Sequence, residues 1–244
     1  IQKRRVSLKT LKHQLEISVK QCLQGSYRAG VYVSGGVDSS IIATLTKKLS
    51  SQSPILFGIA FSDAAYDERT YQANLATYLN CALKQVIIRP KDLEHHFMDC
   101  VYHVEVPLTR AAPIPLMLLS KLVHKTGVKF VLCGEGADEL FLGYPVFKRN
   151  LSSIEDKYAE KESFLPYFNS HIIGDKYPSK ISSTMIRHSL GRENINRLRI
   201  IEIETKLSRY LLATQGDRVS MANSVEQRFP YLHMDVVSAA YTLK

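Results

Sequence analysis

Leu8, Leu11, Leu15, Val19 and Leu23 recur near every fourth position, so residues 7–23 are expected to form an amphipathic helix. Gly30 ends the link behind it, and Val31, Tyr32 and Val33 read as a short buried strand. The segment Ser34-Gly35-Gly36-Val37-Asp38-Ser39-Ser40 turns the chain, and residues 41–49 read as a helix. A second strand is expected at 55–61. Next comes a helix at 67–79, with Asp67 and Glu68 in its first turn, where the macrodipole favours acids. A third strand at 85–88, helices at 93–104 and 113–125, and a fourth strand at 128–132 follow. Cys133-Gly134-Glu135-Gly136 closes that strand.

Strands thus alternate with helices from about residue 30 to 145, the order of βαβ units in a parallel sheet. Ligands of such sheets sit at the carboxyl ends of the strands. Both glycine-rich segments fall at such ends, so they can face one crevice. The pattern changes after Tyr144. Helical periods dominate from there, with a charged, exposed stretch at 157–162 and a long helical run at 195–212. The expected organisation is an α/β core over 1–145 and a mostly helical lobe over 146–244.

Composition narrows the class. A chain of 244 residues buries enough surface to fold without disulfides or metals. Hydrophobic residues are 45 % and charged residues 23 %, ordinary for a globular protein. No apolar run is long enough to span a membrane, and Ile1–Lys12 has no apolar segment of a secretory signal. The net charge of +9 favours phosphate-bearing partners, or else marks a solvated basic face. None of the four cysteines lies in a CxxC pair, so reduced thiols in a cytoplasmic protein are expected. His95-His96, His103 and His124 have no partners at ligand spacing, and the 13 tyrosines are scattered.

Two segments carry candidate chemistry. Gly35 and Gly36 let the backbone approach a ligand closely, and the helix behind them offers unpaired N–H groups and a positive dipole end. Ser34, Ser39 and Ser40 add hydroxyl donors. Asp38 would repel a phosphate, and a carboxylate beside polyphosphate commonly holds Mg²⁺. A plain serine-capped turn is the alternative. Asp138, at the end of a different strand, can converge with Asp38 on one divalent ion or simply cap the next helix.

The Ser34–Ser40 loop resembles the SGGxDS loop of the ATP pyrophosphatases. Gly134-Glu135-Gly136-Ala137-Asp138-Glu139-Leu140-Phe141-Leu142-Gly143-Tyr144 resembles the GEGxDELFxGY motif of glutamine-dependent asparagine synthetases. Asp217-Arg218-Val219-Ser220-Met221-Ala222 and Ser224-Val225-Glu226-Gln227-Arg228-Phe229-Pro230-Tyr231-Leu232 resemble that family's DRxSMAxSxExRxPFLD pattern. The resemblance spans about residues 6–240. It implies a parallel-sheet ATP pyrophosphatase (adenine nucleotide alpha hydrolase-like) domain with a mostly helical C-terminal lobe. It implies ATP and Mg²⁺, the metal held by Asp38 and Asp138. Val33, Ile59, Cys133 and Gly134 match positions that frame the adenosine. Glu135 matches the acidic residue beside the reacting centre, which orders the nitrogen nucleophile or takes its proton. Glu226 and Arg228 match the third motif, as an ion pair that locks the helical lobe or as direct participants. The implied reaction adenylates a substrate carboxylate, aspartate being the first candidate, and a nitrogen nucleophile then gives an amide and AMP.

The sequence also departs from that family. The family's glutaminase half is not in the sequence as given, and the expectation is that this domain was cut off, that it lies on a separate glutaminase subunit or domain, or that the nitrogen is free ammonia or a substrate amine. The family's later pyrophosphate-contacting lysine would lie beyond Lys244. Leu142 stands where Gly is common, and His233 where Asp is. Arg110, in Pro107–Pro115, can clamp a substrate carboxylate, although the spacing to Ser120 differs by one. Competing expectations are a ring-closing relative of the β-lactam synthetase or lasso-peptide cyclase type and an RNA-modifying ligase. A non-catalytic nucleotide-binding module that needs a partner chain is the third. Glu135 in place of Tyr argues against a β-lactam synthetase, and the second and third motifs argue against a nucleic-acid partner.

Overall fold

A computed structural model describes residues 6–108, 110–148, 196, 199, 200 and 202–243. The chain runs α1 (Leu8–Cys22), β1 (Gly30–Tyr32), α2 (Val37–Leu49), β2 (Ile55–Phe61), α3 (Arg69–Leu79) and β3 (Ala82–Ile88). It continues through α4 (Pro90–His95), α5 (Phe97–Val104), α6 (Pro113–Lys125), β4 (Phe130–Leu132) and α7 (Ala137–Phe141). A π-helix (Ile203–Arg218), α8 (Val219–Met221), β5 (Glu226–Arg228) and α9 (Met234–Ala240) complete it.

The five strands form one sheet in the order β3-β2-β1-β4-β5, every neighbouring pair parallel. The chain moves outward from β1 through β2 to β3, then returns to place β4 on the other side of β1. The direction of winding therefore switches between β1 and β4, where open parallel sheets leave a crevice for ligand. The period of two sorts the strand residues. Val31, Leu56, Phe130 and Leu132 face one side and pack with Val19, Ile42 and Val236 of α1, α2 and α9. Phe57, Val131 and Cys133 face the other and pack with Leu119 and Val123 of α6.

Several elements differ from the sequence expectation. The helix expected at 41–49 begins at Val37, so Asp38 lies in its first turn. Gly36, extended at its N-cap, accepts from the Ser40 hydroxyl at 2.7 Å. Asp67 and Glu68 precede α3; Asp67 accepts from the Arg69 backbone and pairs with its guanidinium at 2.7 Å. The helix expected at 93–104 is broken at His96, whose ψ of 8° leaves the helical region. A strand appears where helices were expected. Glu226–Arg228 adds to the edge of β4, so the C-terminal part of the chain completes the sheet. The charged stretch at 157–162 and the first part of the run at 195–212 lie outside the described residues. No helix among the described residues is long and apolar enough to cross a membrane, and all four cysteines are free.

Candidate nucleotide-type cleft

The loop after β1 is tied to itself. The Ser34 N–H donates to Ser39 Oγ at 3.2 Å, the Gly36 N–H donates to Ser34 Oγ at 3.2 Å, and the two hydroxyls meet at 3.1 Å. Gly35 has φ +91°, and a Cβ there would lie 2.6 Å from the Tyr71 Cβ, so only glycine fits. Val37–Ser39 open α2 with N–H groups that have no partner within the helix. The Tyr231 hydroxyl, from the third sequence motif, donates to the Asp38 carbonyl at 3.3 Å and braces that turn.

The loop after β4 lies against this one. A Cβ on Gly134 would stand 3.1 Å from the Ser39 nitrogen. The two loops border a cleft of about 320 Å³, within the range of small-molecule sites. Val33, Ser34, Asp38, Ser39, Ile59, Cys133, Gly134, Glu135 and Asp138 all line it. Gly35, Gly36 and Ser40 shape the turn from behind and are not among the lining residues.

Two expected catalytic residues are placed elsewhere. Glu226 stands at the amino end of β5, the end opposite the cleft, and is exposed. Arg228 binds it through two bonds of 2.9 and 3.1 Å, which hold its carboxyl below the usual range. Arg228 also donates to the carbonyls of Cys22 and Gln24 and lies 3.9 Å over the Phe130 ring. The two residues thus form an ion pair, and Arg228 joins β5 to the end of α1. Arg110 is exposed and does not line the cleft. Its charge acts on Tyr210 of the π-helix. Ala111 and Ala112 carry the chain into α6, and the cleft is met further along, by Leu116 and Leu119.

The electrostatics of the cleft are acidic. Burial, then Asp138, push the Asp38 carboxyl up. Burial, then the charges of Glu139 and Asp138, raise Glu135 from 4.5 to about 7, with Lys206 opposing. Like charges held this close in a half-buried site are stabilised by a cation. Among the described residues no group of three or more metal-ligating side chains occurs. Two carboxylate arms suit Mg²⁺, which uses one or two protein carboxylates and completes its shell with water and phosphate oxygens.

Glu139 lies within the Gly134–Tyr144 motif, and the sequence assigns it no role. It is 1 % exposed and lines the cleft. Its Oε1 accepts from the Tyr144 hydroxyl at 2.8 Å, and its Oε2 has no partner among the described residues. Lys206 lies 3.4 Å over the Tyr144 ring. Gln72 was also missed. It lines the cleft from α3, donates to the Ile59 carbonyl at 2.9 Å and accepts from Gln85 at 2.8 Å. A polar residue on the face of α3 that otherwise buries Ala76 and Leu79 was the available signal. Leu142 ends α7 with φ 64°, ψ 39°, its N–H donating to the Asp138 carbonyl. That left-handed position explains why glycine is common there.

The sheet's winding switch and the facing loops define a doubly wound α/β domain with an acidic, anion-nest cleft of the kind that takes nucleotides. Comparison with known proteins gives the family. The asparagine synthase family matches residues 10–244, and the chain belongs to it. It is similar to asparagine synthetase [glutamine-hydrolyzing] 1 of Bacillus subtilis (strain 168), 24 % identical over 279 residues, covering 96 % of this chain and 43 % of that protein. It is also similar to asparagine synthetase B [glutamine-hydrolyzing] of Escherichia coli (strain K12), 31 % identical over 152 residues, covering 57 % of this chain and 27 % of that protein. The chain thus spans less than half the length of these relatives. Among solved structures, an NH3-dependent NAD synthetase from Campylobacter jejuni aligns with TM-score 0.42 and 18 % identity. That alignment covers 88 % of this chain and 94 % of that one.

Proposed function

We propose that this chain is the ligase portion of an ATP-dependent, AMP-forming amide synthetase. A substrate carboxylate oxygen attacks the α-phosphorus of ATP, and the bond from that phosphorus to the bridging oxygen breaks, releasing pyrophosphate. A nitrogen nucleophile then adds to the acyl carbon, and the carbon–oxygen bond to AMP breaks. Val33, Ile59, Cys133 and Gly134 would frame the adenosine. The first N–H groups of α2, with the Ser34 and Ser39 hydroxyls, would receive the phosphates. Asp38 and Asp138 would hold Mg²⁺, which when bound neutralises phosphate charge. Glu135 receives the proton that the nitrogen loses, and a carboxyl raised to about 7 is suited to do so near neutral pH.

The reading is supported most by the contact between the Ser34–Ser40 and Gly134–Asp138 loops, which puts an anion nest and a carboxylate pair in one cleft. Nitrogen arrives as ammonia, from solution or from a separate glutaminase domain or subunit, or as a substrate amine. The family resemblance makes aspartate the reference acid. The test is ATP–pyrophosphate exchange with Mg²⁺ across a carboxylate panel, with Asp38→Ala as control. Exchange that needs one acid and vanishes in the variant is expected. Cleavage of ATP to ADP, or exchange unchanged in Asp38→Ala, would overturn the reading.

A further inference from the structure

Lys206 lies outside all three sequence motifs, yet the fold brings it to the one that carries Glu135. It projects from the π-helix, which packs against α6 and β5 and gives Leu211, Gln215 and Gly216 to the cleft wall. The Lys206 Nζ stands 3.4 Å from the centre of the Tyr144 ring and 3.9 Å from the Glu202 carboxylate, four residues earlier. An ammonium over an aromatic face is held by the negative potential of the ring, and partial burial strengthens the hold. The Tyr144 hydroxyl in turn donates to Glu139 Oε1 at 2.8 Å. One chain of contacts therefore runs from the π-helix through Lys206 and Tyr144 to Glu139, which lines the cleft with Glu135.

This chain acts on a segment with little structure of its own. Between β4 and Tyr144 the backbone forms only α7, five residues long, which ends in the left-handed turn at Leu142. So short a helix is fixed by packing rather than by its own hydrogen bonds. Glu135 and Asp138 ride on that segment, and Lys206 ties its far end to the π-helix. The charge of Lys206 works in the same direction. It draws Glu135 and Glu139 down against the burial and mutual repulsion that raise them. Asp38, on the metal side, is set by burial and by Asp138 instead.

Resting on the ligase reading above, we propose that Lys206 is a positioning residue for the nitrogen-transfer step. Seated on Tyr144, it fixes the Gly134–Tyr144 segment through Glu139 and so holds Glu135 where the nitrogen arrives. Lys206 is not among the lining residues, so it acts through Tyr144 and Glu139 rather than on the reactants.

The experiment uses the full chain with Mg²⁺, ATP, ammonium and an acid that supports exchange, and follows pyrophosphate exchange and amide formation separately. Lys206→Met keeps the length of the side chain and removes its charge. It is expected to lower kcat for amide formation about tenfold and to leave exchange within about twofold. Lys206→Arg, which also seats on an aromatic face, is expected to restore amide formation to within about threefold of wild type. Tyr144→Phe is a second break in the chain: it keeps the ring under the ammonium and releases Glu139, and it too is expected to slow amide formation more than exchange. Because both changes cut one chain, the double variant is expected to be no slower than the slower single one. Amide formation unchanged in Lys206→Met, or exchange and amide formation lowered equally, overturns the inference and leaves the ligase reading standing. Losses that multiply in the double variant do the same. Absence of exchange from the wild-type chain with every acid overturns the ligase reading, and the inference with it.

Discussion

Glu135→Gln removes a charge that the fold holds at a cost. In the unfolded chain the Glu135 carboxyl ionises near 4.5; in the folded protein it ionises near 7. Burial is the main cause, and the charges of Glu139, Asp138 and Asp38 add to it. A gap of that size corresponds to about 3 kcal/mol between the protonation states. Because the folded pKa is raised, the folded state binds the proton more tightly. Stability from this group is complete below about pH 4.5 and is lost as pH rises through about 7. Glutamine keeps the shape without the charge. In protein free of metal and nucleotide, Glu135→Gln is therefore expected to be more stable than wild type by up to about 3 kcal/mol at pH 8, and nearly equal to it at pH 4. Urea denaturation at both pH values measures the difference. An equal gap at both, or a variant less stable at pH 8, would refute the reasoning. In the complete reaction the same substitution is expected to lower amide formation, whereas pyrophosphate exchange, which needs no proton acceptor, is retained.

The other substitutions separate chemistry from scaffold. Asp38→Asn and Asp138→Asn are each expected to lower exchange about a hundredfold and to raise the Mg²⁺ concentration for half-maximal rate; unchanged magnesium dependence would remove them from the metal site. Glu226→Gln is expected to cost under about 1 kcal/mol and to leave exchange within about twofold, as an exposed ion-pair partner should. Arg228→Ala is expected to cost about 2–3 kcal/mol in denaturation, since it also loses its bonds to the Cys22 and Gln24 carbonyls; a loss of exchange without a loss of stability would instead place the pair in catalysis. Leu142→Gly is expected to stabilise the protein by about 1 kcal/mol, relieving a left-handed backbone position, with thermal denaturation as the check.

The parallel sheet was legible because apolar runs carry the burial of a strand on both faces. Ile55–Phe61 and Pro113–Lys125 match their expected limits, the helix being opened by its proline. The start of α2 was hidden, since Asp38, Ser39 and Ser40 favour turns and caps; here Ser39 is anchored by Ser34 and becomes helical. Glu226–Arg228 has no strand signature of its own. Pairing of its backbone with β4 makes it one, and no local pattern reports that. The same division holds in the cleft. Glycines and acids at strand ends disclosed the two loops, because turn geometry and anion chemistry are local. Glu139 and Gln72 owe their positions to packing from separate helices, and the apolar wall of the cleft is assembled from strands, α6 and the π-helix. Arg110 shows the converse: its charge type suited a carboxylate clamp, but the entry into α6 leaves it outside the cleft wall.

The ligase account turns on whether a carboxylate oxygen is joined to AMP. The direct measurement supplies an acid that supports exchange, labelled with oxygen-18 in its carboxyl group, together with Mg²⁺, ATP and ammonium, and examines the nucleotide by phosphorus NMR and mass spectrometry. The account requires AMP and pyrophosphate, with one labelled oxygen in the AMP phosphate. Production of ADP and phosphate, or AMP without label, would contradict it.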